Sequence, residues 1–221
     1  MSGPRIPVSP SVAGLWQTAA DGLLRGLNHT LSNRVSALSS YGAFVEAGEP
    51  LDADHLHALV AEVAQLERLL RLYRLLPLAA DGREEPLRLG DALPDACDLI
   101  AAHLELRTVP IKVEVADDAP PVLARMNALV QALTLVLGEA GERALEGGAG
   151  SGVSVRVFGA GERVMAAVVA TGVPGPRPSG GPLAVAVAEL LNGATIEALD
   201  DATWGLVLSM PTLAKARRSR G

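Results

Sequence analysis

Cysteine and aromatic residues are scarce in this 221-residue chain, which holds one cysteine, Cys97, and only 3% aromatic residues. A single cysteine excludes an internal disulfide framework and is typical of a protein from a reducing compartment. With so few aromatic rings, the hydrophobic core must consist of leucine, valine and alanine, a mixture that suits long helices. Hydrophobic residues still make up 49% of the chain, so it can bury a substantial core and is not a disordered chain.

An excess of positive charge and long apolar runs are also missing. The formal net charge of −6 argues against a general nucleic-acid-binding protein. The basic end KARRSRG is an exception, and we expect it to be a solvated terminus. No apolar run approaches the roughly 20 residues that span a bilayer, and the start MSGPRIPVSPSV has no signal-peptide core. We therefore expect a soluble cytoplasmic protein with neither a nucleic-acid nor a membrane partner.

Histidine is rare as well, and the four histidines show no metal-ligand spacing. His55 and His57 lie two residues apart and face different ways on a helix, so no metal site is expected. His29 lies within LNHTLSNRV, four residues before Asn33, and the two therefore share one side of a helix. From this spacing alone His29 has three interpretations: an ordinary surface residue, a metal ligand or a nucleophile.

The first third of the chain predicts a helical hairpin. Apolar residues recur at helical spacing from about Ser11 to Ala47 and, after the breaker GEPLD, again to about Leu76. Asp52 or Asp54 can cap the second helix. The apolar end of the second helix needs a cover, and the simplest is a second copy of the chain in a four-helix bundle. The alternative is packing against the rest of the same chain. The leucines concerned are Leu69, Leu70, Leu72, Leu75 and Leu76.

The remainder predicts an α/β sandwich, with helices on one face of a mixed sheet. After the polar linker LAADGREEP, strand and helix patterns follow in the order β-α-β-α-β-β-α-β-β. One strand alternates Ile111, Val113 and Val115 with polar residues, which is typical of a half-buried strand. The helix in GPLAVAVAELLNG is expected to end at Gly193 as its C-cap.

Three stretches are similar to motifs of one family. LNHTLSNRVSAL is similar to an H-box, in which an apolar residue and an asparagine follow a histidine. GPLAVAVAELLNGATIEA and TWGLVLSMP are similar to a last glycine box and to the motif GT-x-[FV]-x-[LV]-x-[LF]-P. The chain thus resembles the core of two-component sensor histidine kinases. This resemblance implies an α+β fold, in which a helical hairpin forms a dimeric four-helix bundle and precedes a degenerate GHKL (Bergerat-type) α/β sandwich.

The same resemblance divides the chain into four segments. Residues 1–10 form a flexible arm, and residues 11–80 form the dimerisation and histidine-phosphotransfer hairpin. Residues 86–212 form the degenerate ATPase-like domain, and residues 213–221 form the basic tail.

The positions that would hold a nucleotide depart from the family pattern. Glu139 replaces an asparagine that helps to hold Mg²⁺ and phosphates, and Ala170 replaces the aspartate that recognises adenine. Pro174 and Pro182 stand at glycine positions, and proline at 182 has no N–H group to offer a phosphate. The stretch 172–181 is also short for an ATP lid. These differences imply a domain that does not bind ATP productively, and no cofactor is expected.

A histidine can still receive a phosphoryl group from a response-regulator receiver domain, which supplies both the aspartyl phosphate and the Mg²⁺. The organisation resembles dimeric histidine phosphotransferases of the ChpT and sporulation-phosphorelay types. Thr30 stands where the ChpT type has an acidic residue. In true kinases that acid often acts as the general base for autophosphorylation, so its absence fits transfer better, although the nearest kinase branch lacks it too. We predict that His29 accepts phosphate and that Asn33 and Ser36 shape its site. Residues predicted to dock the partner are Gly22, Arg25, Gly26 and Ser40.

Other functions remain open at this point. The chain could be a non-catalytic pseudo-histidine-kinase adaptor or regulator, and whether it is an enzyme is undecided. A third possibility is an atypical ATP-dependent histidine kinase or a receiver phosphatase, in which Asn33 orients a water molecule. The predicted partners are receiver domains of response regulators, with a hybrid histidine kinase as a further candidate, and a second copy of the chain.

Overall fold

The computed structural model describes residues 10–48, 50–78, 82–175, 181–199 and 203–219. The predicted arm, except for Pro10, lies outside the described residues, and so do residues 79–81 near the start of the linker and residues 176–180 within the predicted short lid. The helices are α1 (Pro10–Glu46), α2 (Ala53–Leu75), α3 (Leu89–Ala102), α4 (Met126–Glu146), α5 (Pro182–Leu190) and α6 (Leu213–Arg218). The strands are β1 (Glu85–Leu87), β2 (Ile111–Val115), β3 (Val122–Ala124), β4 (Gly152–Ala160), β5 (Arg163–Pro174), β6 (Thr195–Ala198) and β7 (Thr203–Pro211).

The helical hairpin forms close to its predicted bounds. Asp52 is the N-cap of α2, and its carboxylate accepts a hydrogen bond of 2.9 Å from the backbone N–H of His55. Gly48 adopts a φ of +73° in the turn, a conformation that suits glycine. Within the described part of the chain, no helix is both long enough and apolar enough to cross a membrane.

A five-stranded mixed sheet follows, with the strand order β2-β4-β5-β7-β6. The β2–β4 pair is parallel, and the other pairs are antiparallel. Along β5, alternate side chains are buried under the helices, as the sequence alternation requires: Val164, Ala166, Val168 and Ala170. The predicted α+β fold, a helical hairpin followed by an α/β sandwich with a mixed sheet, is confirmed.

The hairpin and the sandwich share one hydrophobic core. Val12, Trp16, Leu23 and Leu27 of α1 are at most 3% exposed and belong to the same buried cluster as the sandwich helices. Four of the five leucines at the end of α2 are also buried within the single chain, and only Leu70 remains exposed. The sandwich of the same chain, and not a second copy, therefore buries the apolar end of α2.

Farther along the hairpin, apolar residues of both helices stay exposed. They lie toward the turn, beyond the reach of the sandwich. They are Val35, Phe44, Val45, Leu56, Val60 and Val63. A second copy of the chain stays a prediction for this part of the hairpin.

Three local predictions need correction. Val113 and Val115 are 38% and 43% exposed and not half-buried, because β2 is the edge strand and the helices do not cover it fully. Helix α5 ends at Leu190, and Gly193 lies in the turn before β6 with a φ of +72°. The basic tail contains the helix α6, which Lys215 and Arg218 tie to Glu162. Strand β3, which pairs with β1, was not predicted.

Candidate functional site

His29 lies on the exposed side of α1, about midway along the helix. Asn33, one turn further, places its Nδ2 atom 3.4 Å from Nε2 of the imidazole. Among the described residues, Asn33 is the one hydrogen-bonding side chain in contact with His29. Ser36 and Ser40 continue along α1 as exposed residues, and their hydroxyls donate to backbone carbonyls four residues earlier. The imidazole is accessible, and an amide lies beside its Nε2 atom.

The backbone next to His29 is held by the second helix. The hydroxyl of Tyr73 on α2 donates a hydrogen bond of 2.8 Å to the side-chain oxygen of Asn28. Arg34 on α1 forms an ion pair of 2.7 Å with Glu62 on α2. These two contacts bracket His29 along α1 and set the rotation of the helix there.

Thr30, at the position where an acidic residue would stand, cannot replace that acid. Its hydroxyl donates a 3.0 Å hydrogen bond to the backbone carbonyl of Gly26. A hydroxyl is also far too weak a base to accept a proton from the imidazole at neutral pH. No carboxylate contacts His29 in the part of the chain that the structure describes.

Gly22 and Gly26 do not belong to the docking face, which corrects the prediction. A Cβ atom on Gly26 would overlap the carbonyl oxygen of Ala102 and lie 2.8 Å from its carbonyl carbon. A Cβ atom on Gly22 would overlap the imidazole of His103. The two glycines are needed because the end of α3 crosses α1 closely, not because a partner approaches. Arg25 remains exposed, and its Nε donates to the carbonyl of Asp21.

Buried hydrogen bonds fasten the end of the hairpin to the sandwich. The indole N–H of Trp16 donates to the carbonyl of Leu76 at 2.7 Å. The side-chain amide of Gln131, on α4, donates to the carbonyls of Leu75 and Pro77, both at 2.8 Å. These bonds satisfy carbonyls that the helix end leaves without a partner.

Ion pairs add a second set of contacts between the two parts. Arg68 of α2 pairs with Asp98 of α3, and Arg71 pairs with Asp95 one turn away. The carboxylates are largely buried by these contacts, whereas the arginines are half exposed. The hairpin is therefore mounted on the sandwich along α3 as well as α4.

Of the four residues assigned to the degenerate nucleotide site, three do not form a pocket. Ala170 is fully buried in β5. Pro174 is exposed at the end of the same strand, opposite Thr203. Pro182 is the exposed first residue of α5, where a missing N–H group costs nothing. These positions offer a nucleotide neither an acceptor for adenine nor a full set of N–H groups.

Trp204 is a residue that the sequence analysis missed. It is 3% exposed and lies on β7. The next residue, Gly205, pairs with Val169 of β5. Trp204 stands at the threonine position of the motif that TWGLVLSMP resembles. A buried indole thus occupies a position at which that motif has a small residue. The alternation of Trp204 with Leu206 and Leu208 along β7 is the signal that could have indicated its burial.

Glu139 lines a cavity of about 470 Å³ between α1, the end of α3, α4 and the start of α5. Gly22 and Arg25 line the same cavity, so residues that the sequence assigned to two separate sites are brought together. Glu142, one turn along α4, also faces it. Desolvation raises the pKa of the Glu142 carboxyl, and the negative charges of Glu139 and Glu105 raise it further.

His103 forms the junction between this cavity and α1. Its Nδ1 accepts the backbone N–H groups of Glu105 and Leu106, at 3.3 and 3.4 Å. Desolvation lowers the pKa of the imidazole, Glu105 acts in the opposite direction, and Arg25 adds to the lowering. With Nδ1 as the acceptor, the neutral ring carries its proton on Nε2, which faces Gly22.

No protein-family model and no curated protein sequence matches the chain. Among solved structures, the histidine kinase AdeS of Acinetobacter baumannii has a TM-score of 0.45 and 14% identity, with 84% of this chain and 98% of that chain covered. A histidine kinase from Burkholderia phymatum has a TM-score of 0.45 and 17% identity, with 93% and 98% covered. The histidine kinase ThkA, in complex with the response regulator protein TrrA, has a TM-score of 0.46 and 12% identity, with 84% and 59% covered. The chain is similar to these proteins in fold alone.

Proposed function

We propose that this protein is a histidine phosphotransferase, which passes a phosphoryl group between receiver aspartates through His29 without using ATP. The observation that carries the proposal is the exposed imidazole on a braced helix, with the amide of Asn33 at 3.4 Å from Nε2. A phosphocarrier histidine needs access for the partner and a fixed position, and both are present here.

The transfer needs little from this chain beyond the nucleophile. The lone pair of an imidazole nitrogen attacks the phosphorus of the receiver's aspartyl phosphate. A P–N bond forms while the P–O bond breaks, and the aspartate carboxylate leaves with the electron pair. The positive charge that develops on the ring is lost when its other nitrogen releases a proton. The amide of Asn33 can donate to a phosphoryl oxygen, and the Mg²⁺ that balances the remaining charge belongs to the receiver.

The absence of an ATP step follows from the residues at the former nucleotide site. The side chain of Ala170 has no acceptor for adenine, and Glu139 would repel a triphosphate. In addition, the shared core and the Arg68–Asp98 ion pair fix the sandwich against the hairpin. A kinase domain would have to carry its nucleotide to His29, and these contacts oppose such a movement.

We propose that the docking surface for the receiver includes the exposed face of α1 around His29, with Asn33, Ser36 and Ser40. The hydroxyls of Ser36 and Ser40 donate to backbone carbonyls of α1, so a partner can cover them without leaving these donors unpaired. The exposed apolar side chains toward the hairpin turn support a second copy of the chain as a further partner.

Labelled phosphate distinguishes this proposal from its alternatives. The full chain is mixed with receiver domains of the same organism, each labelled on its aspartate, and separately with labelled ATP and Mg²⁺. Acid-labile label that comes from a receiver, is lost in His29→Ala and persists in His57→Ala supports phosphotransfer. His57 is the matched control because it is an exposed histidine on α2. No label from any receiver would leave a non-catalytic adaptor, and label from ATP would contradict the interpretation of the nucleotide site.

A further inference from the structure

The cavity between α1, α3, α4 and α5 has the size and the walls of a ligand site. Its volume of about 470 Å³ lies within the range of roughly 300–1,000 Å³ that is usual for small-molecule pockets. One side is formed by the hairpin and the other by the sandwich. Most of the wall is aliphatic: Leu15, Ala19, Leu23, Ile100, Leu106, Leu135 and Leu183.

Gly138 keeps this cavity open although packing does not require glycine there. It lies inside α4, where glycine costs about 1 kcal/mol relative to alanine. A Cβ atom at this position would lie 3.8 Å from Cδ1 of Ile100, which is an ordinary contact. Gly141 is different, because a Cβ atom there would lie 3.3 Å from Leu106. Position 138 therefore has room for a Cβ atom, and a larger side chain there would occupy the cavity.

The charged groups around the cavity determine the sign of a ligand. Glu105, Glu139 and Glu142 line it, against one guanidinium, that of Arg25, and the imidazole of His103. Neither Glu105 nor Glu142 forms an ion pair with any residue that the structure describes. Glu139 and Glu105 lie close enough to Glu142 that, after desolvation, their negative charges further raise the pKa of its carboxyl. A cation would relieve this repulsion, whereas a phosphate or carboxylate would increase it.

We propose that this cavity binds a small organic cation, a primary alkylammonium ion whose alkyl chain lies against the aliphatic wall and whose ammonium group contacts Glu142 and Glu105. The aliphatic wall favours an alkyl chain over a hydrated metal ion, and the described residues contain no cluster of ligands that could hold a metal. The site is separate from His29 and does not depend on phosphotransfer.

Binding at this place would affect the contact between the two parts of the chain. Leu15, Leu23 and Gly22 belong to the hairpin, whereas Leu135, Glu142 and Leu183 belong to the sandwich. A ligand that contacts both walls stabilises the packed arrangement by mass action. The packing of the hairpin, which carries His29, against the sandwich would thus become more stable as the concentration of the cation rises.

Hexylammonium chloride is the probe, and hexanol and sodium hexanoate are the comparators of equal chain length. Binding to the full chain is measured by isothermal titration calorimetry and by the shift of the thermal unfolding midpoint. The expected result is saturable binding of hexylammonium, binding of hexanol about fivefold weaker and no binding of hexanoate. Glu142→Gln should weaken hexylammonium about fivefold, whereas the matched control Glu197→Gln, an exposed glutamate on β6, should not change it.

Gly138→Leu fills the cavity and should abolish binding of both hexylammonium and hexanol. If this variant does not fold, Glu142→Gln still decides the question, because an exposed glutamate tolerates this isosteric change. The proposal is overturned if hexylammonium does not bind, if hexanoate binds as tightly, or if Glu142→Gln leaves the affinity unchanged. None of these results bears on phosphotransfer through His29, so the two proposals fail independently.

Discussion

Replacing Gly26 by alanine tests whether α1 and α3 pack as closely as the structure shows. The new Cβ atom would overlap the carbonyl oxygen of Ala102, which is backbone and cannot swing aside. The two helices would have to separate by more than about 1 Å. Leu23 and Leu27, buried on the same stretch of α1, would lose part of their packing.

The expected cost follows from two opposing effects. Overpacking of this kind destabilises by about 1–3 kcal/mol, and a gap of about 1 Å removes up to half of the dispersion energy of the atoms facing it. Alanine is favoured over glycine in a helix by about 1 kcal/mol, which offsets part of the loss. A clash with backbone belongs to the upper part of this range, so after the offset we expect a net destabilisation of about 1–2 kcal/mol.

Two further glycines of α1 supply graded controls. A Cβ atom on Gly42 would meet nothing within 4 Å, so Gly42→Ala should stabilise the chain by up to about 1 kcal/mol. Gly22→Ala would overlap the side chain of His103, which can move, and its effect should lie between those of the other two. Equilibrium unfolding in urea at one fixed protein concentration measures all three free energies. If Gly26→Ala proves as stable as Gly42→Ala, the close crossing of α1 and α3 is wrong.

Three other predictions concern the contacts around the hairpin. Tyr73→Phe removes the hydrogen bond to Asn28 and should lower the free energy of unfolding by about 0.5–1.5 kcal/mol in the same urea assay; an unchanged value would show that the bond contributes nothing. Gln131→Leu removes the donor to two carbonyls at the end of α2 and should lower the free energy of unfolding, measured by calorimetry, by about 2–4 kcal/mol. A neutral result would mean that water replaces the amide. Because desolvation lowers the pKa of His103 in the folded chain, the unfolded chain binds this proton more tightly. The contribution of the neutral imidazole to the free energy of unfolding is therefore present above the ordinary pKa of 6.5 and is lost as the pH falls below it. Unfolding free energies of the wild type and His103→Asn between pH 5 and pH 8 should therefore converge toward acidic pH, and parallel curves would contradict the proposed role of the imidazole.

The order of helices and strands was predictable because each element carries its own periodicity. The hairpin, the alternation along β5 and the N-cap at Asp52 are local features that a single stretch of sequence specifies. Periodicity also placed His29 and Asn33 on one side of α1, where the structure has them in contact. It does not say which neighbour covers an apolar side of a helix.

The incorrect expectations share this cause. Gly22 and Gly26 were correctly identified as positions where something approaches α1, but that neighbour is α3 of the same chain. In the same way, four of the five leucines at the end of α2 are buried against the sandwich of the same chain. The burial of Trp204 depends on the position of β7 between β5 and β6, which the separate strand patterns do not reveal.

The burial of α1 against α5 has a consequence for synthesis of the chain on the ribosome. Val12, Trp16 and Leu23 emerge early, but α5, which α1 contacts, is made near the other end of the chain. At about 5–20 residues per second, α1 must wait on the order of ten seconds or more before this contact can form. During that time its apolar side is exposed to solvent, and it offers a binding site for a chaperone. Truncated chains that end before α5 should therefore aggregate or remain chaperone-bound, even though both helices of the hairpin have been completed.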